Sequence, residues 1–129
     1  MGEKIFVVDD DVSDQEFLGV AFTEIAFHQV EFFSNVFSIV QKLKTTDANE
    51  LPKLIVTDYQ MPSLDGFNLV TFVKKNARLS SIKVVILTGS IAENEKHRLI
   101  SAGVNKILFK PNSLAGYKTL ALELRELVN

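Results

Sequence analysis

Short apolar runs alternate along this chain with longer stretches in which apolar residues recur every three or four positions. Ile5-Phe6-Val7-Val8, Leu54-Ile55-Val56, Val84-Val85-Ile86-Leu87 and Ile107-Leu108-Phe109 are continuous and largely β-branched or aromatic. That is the pattern of strands covered on both faces. Val30-Glu31-Phe32-Phe33 is a weaker strand, second in order. Between the runs the period is helical. Phe17, Leu18, Ala21, Phe22 and Ile25 share one face of a first helix, with Ser13 placed to cap it and Glu16 at the capping-box position. Val36, Val40 and Leu43 mark a second helix, and Phe67, Val70 and Val73 a third that opens at Asp65-Gly66. A fourth, between Ala92 and Ala102, is polar and thinly patterned, with Gly103 as its stop. Leu114, Tyr117, Ala121, Leu124 and Val128 stripe the last helix, and the segment from Thr45 to Pro52 reads as a loop.

Five β-α units in this order predict an α/β fold. It should be a doubly wound, five-stranded parallel sheet with right-handed crossovers and helices on both faces. Five strands suit the order 2-1-3-4-5. The chain's 129 residues fit one domain, 1–129, and show no repeat or linker. A hydrophobic fraction of 47% allows a core without staples, and the absence of cysteine removes disulfides and thiolate metal sites. The net charge is -2 with no Lys/Arg block, so binding to nucleic acid or an anionic membrane has no electrostatic support. The apolar runs are too short to span a bilayer. Met1-Gly2-Glu3-Lys4 leads straight into an apolar run broken at Asp9, which is not a signal peptide. A cytoplasmic location is expected.

The polar residues that end the apolar runs carry the chemistry. Asp9-Asp10-Asp11 follows the first run, Thr57-Asp58 the third, Thr88 the fourth and Lys110 the fifth. In the order 2-1-3-4-5 those four strands are contiguous, and open parallel sheets place their sites at the carboxyl ends of the strands. Asp9, Asp10, Asp58, Thr88 and Lys110 should therefore converge. Crowded carboxylates repel unless something cationic intervenes. Their hard oxygens suit a divalent ion such as Mg²⁺. A lysine ammonium and a hydroxyl beside such an ion describe a site for a transferred phosphoryl group, and a carboxylate can serve as its nucleophile.

In order along the chain, several segments match one pattern. Val7-Val8-Asp9-Asp10 is an acidic pair after the first strand. Leu54-Ile55-Val56-Thr57-Asp58-Tyr59-Gln60-Met61-Pro62 is followed by Leu64-Asp65-Gly66. Leu87-Thr88-Gly89 ends the fourth strand, and Ala102-Gly103-Val104 precedes Phe109-Lys110-Pro111. The chain thereby resembles the receiver domain of bacterial two-component response regulators over nearly its full length. The resemblance implies the flavodoxin-like (CheY-like) version of the fold, with five helices. It implies that Asp58 accepts the phosphoryl group, that Asp9 and Asp10 bind Mg²⁺ (or Mn²⁺) together with Asp58, and that Gln60 offers its backbone carbonyl to the metal. Thr88 would bond the phosphoryl group and Lys110 would pair with it, across a cis Lys110-Pro111 bond. The expected donor is a histidine kinase or histidine phosphotransfer protein. No effector segment follows Asn129, so the expected output is contact with an unidentified partner protein, onward phosphotransfer, or a domain cut away from this chain. A signalling domain that catalyses only its own phosphorylation and dephosphorylation is expected rather than an enzyme.

Two positions depart from the family. Members usually carry Tyr or Phe near the end of the fifth strand, where this chain has Ile107, so a readout by rotation of that ring is lost. Gly89 stands where Ala or Ser is common and should leave the pocket roof open to water. A phosphorylation-independent interaction module on the same scaffold is the alternative. A flavin binder would need a Ser/Thr/Gly-rich loop after the first strand, where this chain has acids. A haloacid-dehalogenase-type phosphatase would need a Thr or Val sequel to the first acids and a cap domain. Taken singly, the site residues have plainer readings: Asp11 as a helix cap, Thr88 as a strand-end hydroxyl, Lys110 as a surface cation, Gly66 as a turn residue and Pro62 as a loop shaper. His28 and His97 lack ligand partners at metal spacing, and the ten Phe residues are assigned to the core.

Overall fold

A computed structural model describes residues 3–129. Five strands, β1 (Ile5–Val8), β2 (Val30–Phe33), β3 (Leu54–Asp58), β4 (Lys83–Thr88) and β5 (Lys106–Phe109), form one parallel sheet in the order β2-β1-β3-β4-β5. The helices are α1 (Val12–Glu24), α2 (Val36–Thr45), α3 (Gly66–Lys75), α4 (Glu93–Ala102) and α5 (Leu114–Glu126). Architecture and strand order are those expected from the apolar runs. No helix among the described residues is long and apolar enough to cross a membrane.

The sheet divides the core in two. Phe6, Val8, Ile55, Val84 and Ile86 pack towards α2, α3 and α4, while Ile5, Val7, Leu54, Val56, Val85 and Leu87 pack towards α1 and α5. This is the period-2 alternation of a strand, read out on two covered faces. β1 is buried at every position, and β3 is buried up to Asp58. β5 is different: none of its residues is fully buried, and Phe109 is 59% exposed. The expectation that β5 would be covered on both faces fails because it lies at the edge of the sheet. The Phe residues divide accordingly. Phe6, Phe22 and Phe33 are buried, whereas Phe17, Phe37 and Phe109 stand in solvent.

Local signals are corrected at three points. The cap of α1 is Asp11, whose carboxylate accepts the Asp14 N–H at 2.9 Å, and Ser13 lies inside the first turn. A carboxylate at the positive end of a helix outcompetes a hydroxyl. The plain reading of Asp11 was therefore right, and that of Ser13 wrong. The presumed loop after α2 holds a short 3₁₀ turn, Ala48–Glu50, and Thr45 still belongs to α2. The Lys110-Pro111 bond is trans, the isomer that an isolated X-Pro bond prefers by about 0.5–1 kcal/mol. The other ends behave as anticipated. Asp65 caps α3 in a reciprocal box with Asn68, and Gly103, at φ 101°, ends α4 in the left-handed conformation.

Candidate functional site: an acidic pocket at the carboxyl edge of the sheet

β1 delivers Asp9 to the carboxyl edge of the sheet, β3 delivers Asp58, and β5 delivers Lys110. Parallel register sets their level, since Val8 pairs with Thr57 and Thr88 with Phe109. The β1 tip is fixed by backbone. Asp9 N–H donates to the Phe33 carbonyl at 3.0 Å, and the Gln15 amide donates to the carbonyls of Asp9 and Phe33 at 2.5 and 3.0 Å. The β3 tip is fixed by Gly66, whose N–H donates to the Tyr59 carbonyl at 2.9 Å. A Cβ on Gly66 would sit 2.7 Å from the Asp58 carbonyl oxygen, so only glycine lets α3 start this close beneath the site.

Three of the expected residues gather as acids: carboxylate oxygens of Asp9, Asp10 and Asp58 lie within 4.8 Å of one another. Asp9 is 4% exposed, and Asp10 opens to solvent. Lys110 enters as expected, its Nζ 3.2 Å from Asp9 and 3.3 Å from Asp58. Burial pushes the Asp9 carboxyl up to about 6, an effect that the Asp11 N–H and the Lys110 charge only partly offset. Asp58 is raised for the same first reason, again against the pull of Lys110. Burial alone would lower Lys110, but its bond to Asp14 and the charges of Asp9 and Asp58 prevail and raise it. One ammonium thus undercompensates two sequestered carboxylates. A hard cation fits this donor set on the chemistry of the oxygens and on the positive charge that the buried acids still lack.

Thr88 and Gln60 end or follow strands of the same sheet. Thr88 is buried at the end of β4, but its hydroxyl donates to the Ser90 carbonyl at 2.9 Å. Gln60 lies in the exposed loop two residues beyond Asp58. Gly89 is exposed, and a Cβ there would meet nothing within 4 Å. His28 and His97 are exposed, with His97 beside Glu93 on its own helix.

One member of the site escaped the sequence reading. Asp14, in the first turn of α1, accepts from Lys110 Nζ at 2.7 Å, closer than either Asp9 or Asp58. The only sequence signal was an acid in a helix first turn, which ordinarily serves the helix dipole. A second link runs from Tyr59, next to Asp58. Its hydroxyl donates to Glu95 of α4 at 3.1 Å, and burial together with that carboxylate raises its pKa.

A family model of the response regulator receiver domain matches residues 5–120. The chain belongs to the response regulator receiver family. Among its curated relatives is a probable methanogenesis regulatory protein FilR2 of Methanothrix harundinacea, 27% identical over 125 residues, covering 95% of this receiver and 81% of that protein. The chemotaxis protein CheY1 of Helicobacter pylori is 28% identical over 108 residues, covering 84% and 85%. Among solved structures, the phosphorylated cyanobacterial phytochrome response regulator RcpA superposes with a TM-score of 0.85 at 25% identity, covering 98% of this receiver and 93% of that chain. The fold is thus the CheY-like one, and the chain is a two-component signalling domain whose acidic pocket suits a divalent metal. A kinase-type phosphodonor and an output partner follow from that class.

Proposed function

We propose that this receiver accepts a phosphoryl group on Asp58 from the phosphohistidine of a histidine kinase or histidine phosphotransfer protein. The observation that carries the reading is the convergence of Asp9, Asp10 and Asp58, with carboxylate oxygens within 4.8 Å of one another and the Lys110 ammonium against Asp9 and Asp58. An Asp58 carboxylate oxygen attacks phosphorus in line. The P–N bond breaks, its electron pair stays on the imidazole nitrogen, and an acylphosphate forms on Asp58. Lys110 pairs with the phosphoryl oxygens, and the Thr88 hydroxyl turns from the Ser90 carbonyl to donate to them. Mg²⁺, with Mn²⁺ as a substitute, held by Asp9, Asp10, Asp58 and the Gln60 carbonyl, would neutralise the charge on the transferring group. The domain 1–129 does no chemistry beyond its own phosphorylation and dephosphorylation, and it works in the cytoplasm.

Phosphate adds a charge near -2 at the pocket, enough to shift a pre-existing equilibrium between surface conformations. With Ile107 half-buried in β5 where a ring is usual, Tyr59 is the aromatic nearest the acceptor in sequence, and it already reaches α4 through Glu95. The surface of α4, β5 and α5, with Ile100 and Phe109 exposed, would present the change to a partner protein. The test is incubation with acetyl phosphate and Mg²⁺ followed by intact mass. One phosphoryl group should add to the parent, and none to Asp58→Asn or in the presence of a chelator. A parent that stays unmodified would sink the reading in favour of a passive interaction module.

A further inference from the structure

We propose that Asp14 is the resting partner of Lys110, a positioning residue that competes with the phosphoryl group for the ammonium. The inference rests on the assignment of Asp58 as acceptor. A lysine ammonium has three donors, and here it faces three carboxylates: Asp14 at 2.7 Å, Asp9 at 3.2 Å and Asp58 at 3.3 Å. The closest of these is the one outside the acidic cluster that suits a metal. The two functions of the carboxylates therefore separate. A cation bound by Asp9, Asp10 and Asp58 neutralises those acids and repels the ammonium, while Asp14 keeps its charge and its hold.

Asp14 is also well fixed. Its backbone N–H is tied to the Asp11 carboxylate, and its second oxygen faces the Tyr117 hydroxyl at 3.5 Å on α5. Its charge is favoured at the positive end of α1 whether or not Lys110 stays. By contrast, Lys110 stands at the end of an edge strand with no fully buried residue. When a phosphoryl group arrives, the mobile partner is the lysine. Transfer of Lys110 from Asp14 to phosphate releases a tie between β5 and α1 and makes the phosphorylated state less stable than it would be without a competitor.

The experiment is a titration of the parent chain with beryllofluoride, a phosphoryl mimic, at saturating Mg²⁺, followed by amide NMR shifts. Asp14→Asn should bind about fivefold tighter, the scale of a partly buried ion pair. Asp14→Ala should shift in the same direction, and Asp14→Glu should return towards the parent. Glu16→Gln, an equal loss of charge at an exposed position of the same helix, should stay within about twofold of the parent. A merely structural Asp14 gives the opposite sign, because losing a tie loosens the site. Unchanged or weaker binding by Asp14→Asn, or an equal gain with Glu16→Gln, overturns the proposal. A parent that fails to bind beryllofluoride at all overturns the acceptor assignment of Asp58 itself.

Discussion

β1 and β5 each deliver one charged residue to the same pocket, and they are built to different standards. β1 is an interior strand, buried at every position, and its tip is pinned by backbone and Gln15 bonds. β5 is an edge strand with Phe109 largely in solvent. Asp9 is therefore held by packing, whereas Lys110 is held mainly by the charges it faces. The difference separates a fixed acid from a cationic responder, which is proposed to change partners. α4 repeats the lesson, since it fully buries one residue, Leu99. Few buried contacts are what low local stability requires.

Removing the responder should give the largest effect. Lys110→Ala leaves Asp9 and Asp58 without their cation, and in metal-free buffer at pH 7 it should cost about 2–4 kcal/mol in urea unfolding. Saturating Mg²⁺ should restore most of the loss. A variant as stable as the parent without metal would show that packing, and not charge, sets β5.

The fixed acid should show itself next. The folded pKa of Asp9 lies near 6, above its ordinary value of 3.8. The folded state then binds more protons than the unfolded state between those values, and stability falls as pH rises through that window. The metal-free protein should lose on the order of 2–3 kcal/mol between pH 4 and pH 6 from this group, and Mg²⁺ should flatten the slope. A metal-free stability that rises over the same window would mean that Lys110 fully compensates the acid.

The smallest effect on stability is expected on the loose side. In Gly89→Ala the new methyl group meets nothing within 4 Å, so the unfolding free energy should move by less than about 0.5 kcal/mol. Its phosphorylated form should nonetheless outlast that of the parent, because the methyl group narrows the water's approach. Phosphate lifetime followed by intact mass checks this, and an unchanged lifetime removes Gly89 from the account of hydrolysis.

How much of this could be read from the chain alone follows from the range of each interaction. The strands, their order and the convergence of Asp9, Asp10, Asp58 and Lys110 were legible because period and topology are local signals with few global solutions. The contact of Asp14 with Lys110 was not, since its partner lies 96 positions away and nothing in the first turn of α1 distinguishes it from an ordinary dipole-facing acid. The start of α1 was misplaced by two residues of the same motif, Asp11 and Ser13, that both make good caps.

By itself the sequence determined the layered sheet and which residues its carboxyl edge brings together, because burying continuous apolar strands leaves the polar ends one place to go. The tertiary structure alone decided how each of those residues is held. It put β1 inside the sheet and β5 at its rim, turned the Thr88 hydroxyl to Ser90 and gave Lys110 a third carboxylate. Burial and charge pairing depend on which segments meet in space, and no residue carries that information on its own.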